Sequence, residues 1–433
     1  MCGLAALVVA LAGCGTPRAE EHGASDGRVN VREFAHLVKD GDWSPALQAA
    51  IDRVSESNGY EAGGTVVFPP GTYRVDRSIV LGGNKAHWGL HLLGYGATLV
   101  GTEKLSKQPL VDPEPEEKDA GVPILVVKSP PGIEGASYCI EGLRFTREGK
   151  RAGIGISVPW KQVPKCTTFR SLKFHGQNIG VHIKYAWQFS FTDCIFRGNT
   201  RGMVIQSHGN NVGIVNCTFR RNHAAGLVFG PDRGQWASNA QHISGSIFEA
   251  NKGYGILLLS SAQTVIAGCY FEANGTSIGV MTPWQTTIDT NLFWGYYGHG
   301  WRVTPYADNA HIVLEGAKRV RLRNNHYAAT KAWFRRKDGS TRWEYVPRPK
   351  GPGGIKKHAP APPKKQAGYA YEERPVGILI AGTFEGDFVL DGVPSLHNTA
   401  RIKTTRVASD TGLHYYQYDA NTNTFVTKSL LPK

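Results

Sequence analysis

Hydrophobic positions return along this chain in one short phrase: an aliphatic residue or Phe, a small or aliphatic residue three places on, then Phe two places later. Ile140, Leu143 and Phe145 open the series, followed by Phe169, Leu172 and Phe174, and then Phe191, Cys194 and Phe196. Ile214, Cys217 and Phe219, Ile243, Ser246 and Phe248, Ile266, Cys269 and Phe271, and Ile288, Asn291 and Phe293 complete seven copies. The steps between successive closing Phe residues are 29, 22, 23, 29, 23 and 22 residues. A period in this range marks a solenoid, in which no repeat buries its own apolar face and stacking supplies the core. The apolar runs are short, β-branched or aromatic, and interrupted by Gly and Asn, which predicts strands rather than helices. The longer steps read as coils of 22 residues with an inserted loop of about seven.

The polar positions refine this to an all-β, right-handed parallel β-helix. Asn199, Asn222, Asn251 and Asn274 follow the Phe at a matching place. Asn tolerates a left-handed backbone and bonds locally, so it suits a tight corner, and stacked Asn side chains can pair from coil to coil. A Gly and an apolar strand come next, as in Gly202 to Ile205, Gly226 to Phe229 and Gly255 to Leu258. Each coil is thus a strand, a bend, a short strand, an Asn corner, a Gly-led strand and a variable returning loop. At 433 residues the chain exceeds a usual single core, a limit that a core growing in one dimension escapes.

Near the N-terminus, Leu4 to Gly13 is an apolar run of signal-sequence length ending in Leu11-Ala12-Gly13-Cys14, which resembles the bacterial lipobox. That resemblance implies lipidation of Cys14, a signal over residues 1–14, a polar tether over 15–27, and a body held at the bacterial cell envelope or surface, or otherwise secreted. Beyond it, no stretch of eighteen or more apolar residues occurs. Cys194, Cys217 and Cys269 share one ladder position with Ser246, so they read as small buried core residues. A Cys194–Cys217 bridge between adjacent coils fits the spacing of about 4.8 Å. Without C-x-x-C spacing or a His partner in sequence, no metal site is expected.

Ser44 as N-cap with Pro45 at the first helical position predicts a helix of about ten residues, whose apolar face (Leu47, Ala50, Ile51, Val54) would plug the open end of the stack. Thr65 to Phe68 follows as a strand halted by Pro69-Pro70-Gly71. This order, with Gly63-Gly64-Thr65-Val66-Val67-Phe68-Pro69-Pro70-Gly71-Thr72-Tyr73 and Leu93-Gly94-Tyr95-Gly96, resembles the N-terminal part of the pectate lyase superfamily, rhamnogalacturonase/epimerase-like proteins included. With the coils, the resemblance covers residues 28–330. It implies a pectin lyase-like fold acting on polysaccharide, often uronate-containing, by hydrolysis or β-elimination. Calcium is implied by that resemblance only, since no Asp cluster announces a site. Gly298-His299-Gly300 and Arg401-Ile402-Lys403 match polygalacturonase motifs in letters but stand far apart and lack the preceding Asp pair. The RxPxxR pattern of pectate lyases is absent as well.

The variable loops project from one edge and bring Trp160, Trp187, His208, Trp236 and Trp284 there, with Lys184, Asp232 and Arg233. Aromatic faces with polar tips suit sugar rings, and Arg233 and Lys184 would neutralise substrate carboxylates. The adjoining strand carries Asp193, His242 and Asp289 near its exposed positions. Asp232, Asp193 or Asp289 would supply acid and base or nucleophile in hydrolysis, and His242 or a Lys would take the proton in β-elimination. The Trp residues could equally cover the apolar stack. A rival face follows the repeat Phe, where Arg220, Glu249 and Glu272 fall on successive coils. Two carboxylates so placed approach the separation of about 5 Å in retaining glycosidases, although a surface ladder of Arg and Glu looks the same.

The net charge of +14 is concentrated in a basic insertion at residues 331–368, where Trp333 to Arg335 and Arg342 to Glu344 flank Asp338-Gly339 as a hairpin. Its Pro/Gly/Lys-rich part fits a solvated linker or a grip on an anionic polymer or surface. Export leaves nucleic acid out as a partner. Residues 369–433 resume strand patterns and would close the C-terminal end. Two functions remain: an exported enzyme, hydrolase or lyase, cleaving an acidic polysaccharide, and a surface-anchored, non-catalytic glycan-binding β-helix. A fold shared by many activities does not decide between them.

Overall fold

The computed structural model describes residues 27–58, 63–82, 89–109, 120–130, 136–149, 151–159, 163–206, 209–230, 238–281, 284–294, 310–315, 318–328, 331–335, 341–345, 376–381, 385–391, 401–404, 414–419 and 424–429. Cys14 and its flanks lie outside these residues. Three long sheets run parallel to one axis. In one coil Ser190–Thr192 lies in sheet A, Ile195–Arg197 in sheet B and Arg201–Ile205 in sheet C. The chain returns through Gly209–Asn210 to Gly213–Val215, the next strand of sheet A. Sheet B has 10 strands and sheet C has 11, all paired in parallel.

The repeat phrase sets the register. Phe191 pairs with Phe169 and Ile214 in sheet A, and Phe219 pairs with Phe196 and Phe248 in sheet B. All seven closing Phe residues are buried. From Phe145 to Phe293 their rings stack at centroid distances of 4.6–5.0 Å and interplanar angles of 1–14°. The Gly that leads each sheet C strand makes room for this column. A Cβ on Gly202 would lie 2.4 Å from the Gly226 carbonyl oxygen and 3.0 Å from Phe219.

The Asn corner pairs from coil to coil, as its spacing predicts. Asn222 Nδ2 donates to Phe196 O (3.1 Å) and Asn251 Oδ1 (2.9 Å), while its Oδ1 accepts from Asn199 N (3.1 Å) and Nδ2 (3.2 Å). The left-handed backbone falls one residue earlier than expected, at Gly198, Arg221, Ala250 and Ala273, with φ of 52–68°. The turn there swings the following Asn inward, where its amide meets buried carbonyls rather than water. A second ladder occupies the corner between sheets A and B. There Cys217 N donates to Ser246 Oγ (3.1 Å), Cys269 N to Asn291 Oδ1 (2.8 Å) and Asn291 N to Asn325 Oδ1 (3.1 Å). Cys194, Cys217 and Cys269 are buried here and all are free thiols, so no Cys194–Cys217 bridge is present. Burial pushes the Cys269 thiol up to about 12.

The helix Ser44–Asn58 is longer than expected, and Leu47, Ala50, Ile51 and Val54 are buried against the first coil. The Ser44 hydroxyl accepts from Asp76 N and Arg77 N (both 3.0 Å) and thereby ties the helix start to a neighbouring turn. The outer face of sheet C is also buried, through a second cluster including Ile154, Ile179, Val204, Ala225, Val228 and Tyr254. The hairpin in the basic insertion forms, Lys331–Arg335 pairing antiparallel with Thr341–Tyr345. Beyond it, Val376–Ala381 and Arg401–Thr404 extend sheet C and Glu385–Asp391 extends sheet A, so the helix continues past the insertion. His414–Asp419 and Thr424–Ser429 form a closing hairpin. No helix among the described residues is long and apolar enough to cross a membrane.

Two stability measurements test this register. Phe219→Ala removes a ring stacked on both sides and should cost about 3–5 kcal/mol in denaturant unfolding, whereas Arg220→Ala should cost under about 1 kcal/mol. Asn222→Ala strands Phe196 O and Asn199 N, and should cost at least about 2 kcal/mol; a loss no greater than that of Arg220→Ala would mean the ladder does not form.

Candidate functional site

Alternation along each short strand turns the central residue of sheet A inward and its two neighbours outward. One outward row runs through His91, Cys139, Thr168, Ser190, Gly213, His242, Val265 and Thr287. The other runs through Glu141, Arg170, Thr192, Val215, Ser244, Ala267 and Asp289. His242 is exposed in the first row. Asp289 is half-buried in the second, accepting from Thr290 Oγ1 (3.1 Å) and Asn324 Nδ2 (3.4 Å). Asp193 lies just past the second row, as the left-handed corner residue (φ 57°), and accepts from Asn216 Nδ2. Thr192 pairs with Val215 and Val215 with Ser244; Ser244 pairs with Ala267 and Ala267 with Asp289. The three candidates therefore stand two coils apart, about 10 Å per step along the axis, which leaves Asp193 and Asp289 about 19 Å apart.

The returning loops contribute a further row to sheet A. Lys165 pairs with Trp187, Trp187 with Asn210, Asn210 with Asn239, Asn239 with Ala262, Ala262 with Trp284 and Trp284 with Lys318. Trp187 is 42 % exposed, with Lys165 Nζ 5.9 Å from its ring centroid. Asn239 Nδ2 donates to Asn210 Oδ1 (3.4 Å). The row thus has Trp near both ends, with Asn210, Asn239 and Ala262 between, and spans about 19 Å from Trp187 to Trp284. Trp160, His208, Asp232, Arg233 and Trp236 lie outside the described residues.

Lys184 departs from the expectation of an exposed loop cation: it is 2 % exposed, just past the sheet C strand Ile179–Ile183. The strand ending there is buried on both faces, so the chain has not yet emerged from the body. Its neighbour His182 bonds Gln206 Oε1 through Nε2 (2.9 Å), and burial, then the Lys184 charge, lowers its pKa to about 4. His182 is neutral at physiological pH.

On the rival face Glu249 and Glu272 pair in register on adjacent strands of sheet B. Both carboxylates already have partners. Arg220 Nη2 lies 2.9 Å from Glu249 Oε1, and Tyr270 OH donates to Glu272 Oε2 (3.0 Å). Burial and then Glu272 push the Tyr270 phenol up.

One cluster has no counterpart in the sequence reading. His91 and Cys139 are paired neighbours in the first outward row, and Glu141 is two residues beyond Cys139 on the same side. Their ligand atoms all lie within 4.8 Å of one another. His91 Nε2 is 3.4 Å from Glu141 Oε2, and Tyr95 OH donates to Glu141 Oε1 (2.7 Å). Burial and then Glu141 push the Cys139 thiol up, against the opposing charge of Arg170. No sequence spacing announces this pairing of Cys139 with a His, because stacking joins residues of different coils. Only a strand register reaching back to Leu90–Leu93 would have revealed the pair.

Comparison with known proteins agrees with this architecture. Residues 133–293 match the family model described as a right handed beta helix region. No curated protein matches the chain by sequence. Among solved structures, a tailspike of an Acinetobacter phage is 11 % identical over 94 % of this chain and 65 % of its own, with a TM-score of 0.57. The DFA-IIIase of Arthrobacter chlorophenolicus is 10 % identical over 90 % of this chain and 93 % of its own, with a TM-score of 0.51. The A-module of an Azotobacter vinelandii mannuronan C-5 epimerase is 14 % identical over 88 % and 97 %, with a TM-score of 0.50. At such identities the likeness is one of fold, and the fold is that of a right-handed parallel β-helix.

Proposed function

We propose that the protein is an exported carbohydrate-active enzyme that lays an extended, acidic polysaccharide along the outer face of sheet A and cleaves it. The observation that carries this reading is the row from Lys165 through Trp187, Asn210 and Asn239 to Trp284 and Lys318. Flat apolar rings receive sugar faces, amides meet hydroxyls, and cations at the row's ends, with Arg170 in the adjoining row, favour carboxylates. The phage tailspike, DFA-IIIase and mannuronan epimerase module support it by analogy of fold.

The chemistry is hydrolysis or β-elimination. In elimination His242 takes the proton beside the substrate carboxylate; the bond to the departing glycosidic oxygen breaks, that oxygen is protonated, and a double bond remains. In hydrolysis water adds across the glycosidic bond with a carboxyl pair as acid and base or nucleophile. Asp193 and Asp289 stand too far apart to form that pair together, so it requires Asp232 beside one of them. Arg233 and Trp236 share its loop and would hold the chain there. The adjacency of Glu249 and Glu272 favours a second reading, in which retaining hydrolysis takes place on sheet B. Anchoring through Cys14 at the cell envelope completes the proposal.

The test is a polysaccharide panel read by affinity electrophoresis and by product release, with ultraviolet absorbance distinguishing unsaturated products. Trp187→Ala should weaken binding about tenfold or more with the melting temperature preserved, and unchanged affinity would remove the row from the site. Asp232→Asn should abolish cleavage; full activity there, with none in the Glu249→Gln, Glu272→Gln double variant, would move the chemistry to sheet B. Binding without products from any member of the panel would leave a glycan-binding protein. For anchoring, Cys14→Ser should shift the protein from membrane to soluble fraction in a lipoprotein-processing host; unchanged fractionation and gel mobility would refute lipidation.

A further inference from the structure

We propose that His91, Cys139 and Glu141 form a binding site for a divalent d-block cation, Zn²⁺ by choice of ligands. The three side chains offer one imidazole nitrogen, one thiolate sulfur and one carboxylate oxygen, all within 4.8 Å of one another and all half-buried. In a tetrahedral zinc site with bonds of 2.0–2.3 Å, such atoms stand about 3.5 Å apart, so a small contraction closes the site. Two strands of one sheet supply the ligands, and the pairing of His91 with Cys139 holds them side by side.

Two further observations point to a cation. His91 Nε2 is buried without a hydrogen-bond partner and lies 3.4 Å from Glu141 Oε2. Tyr95 OH already holds the other oxygen, Oε1 (2.7 Å), as an outer partner commonly orients a ligating carboxylate. Arg170 Nη1 lies 3.8 Å from Oε2, so a bound cation would compete with this guanidinium for the carboxylate. The thiol selects against calcium and magnesium, which take oxygen ligands, and favours zinc or cobalt. Three protein ligands leave a fourth position open to water or to a donor from a bound molecule. The site stands on the same outward row as His242 but does not depend on glycan binding.

The full-length, tag-free protein, stripped with chelator, is titrated with Co²⁺ and followed by the thiolate-to-cobalt charge-transfer absorption. One equivalent should produce the band, and Zn²⁺ should bleach it. Cys139→Ser and His91→Ala should lose the band, Cys166→Ser should keep it, and Tyr95→Phe should weaken binding about tenfold. In the wild-type protein, Zn²⁺ should also protect Cys139 from alkylation in peptide mass spectra while Cys166 still reacts. No band in the wild type, a band that survives Cys139→Ser, or alkylation of Cys139 indifferent to Zn²⁺ would each overturn the assignment.

Discussion

Parallel in-register pairing of like with like is the constraint on which this molecule depends. Each residue sits above its equivalent in the coil below, so a position is either good for the whole column or bad for all of it. Phe stacks on Phe at under 5.1 Å, Asn donates to Asn, and Gly lies on Gly because the Phe column beside it leaves no room for a Cβ. Sheet C follows from the same rule. Both of its faces are buried, so its strands read as unbroken apolar runs, whereas the strands of sheets A and B alternate.

The coil order was therefore legible: a period repeated seven times leaves one register that buries every Phe. The corner amides were legible for the same reason. The left-handed residues were not. Arg221, Ala250 and Ala273 adopt positive φ without the Gly or Asn that usually announces it, because the ladder beside them dictates the backbone. The burial of Lys184 was also hidden, since a charged residue at the end of a strand reads as exposed until both faces of the sheet are seen to be covered.

Candidate chemistry was less legible than fold. Alternation correctly put His242 and Asp289 on the outer side of sheet A, but how many coils separate them depends on counting strands, and the count puts them two coils, about 10 Å, apart along the axis. That Trp187 and Trp284 fall in one row, four coils apart, follows from the strand pairing, which the varying loop lengths hide in the sequence. His91 and Cys139 are neighbours for a reason that motif spacing does not encode, since the loop lengths between coils vary while the strand register does not.

The corner amides carry a direction. Asn199 donates to Asn222, Asn222 to Asn251 and Asn251 to Asn274, always toward the later coil. Their dipoles align head to tail along the axis, and hydrogen bonds in such a chain polarise one another. The line is buried, where little water screens it. This line of four amides is thus polarised along the axis, with its donor end facing the C-terminal coils, and an amide in the middle of the line is bound more strongly than one at its end.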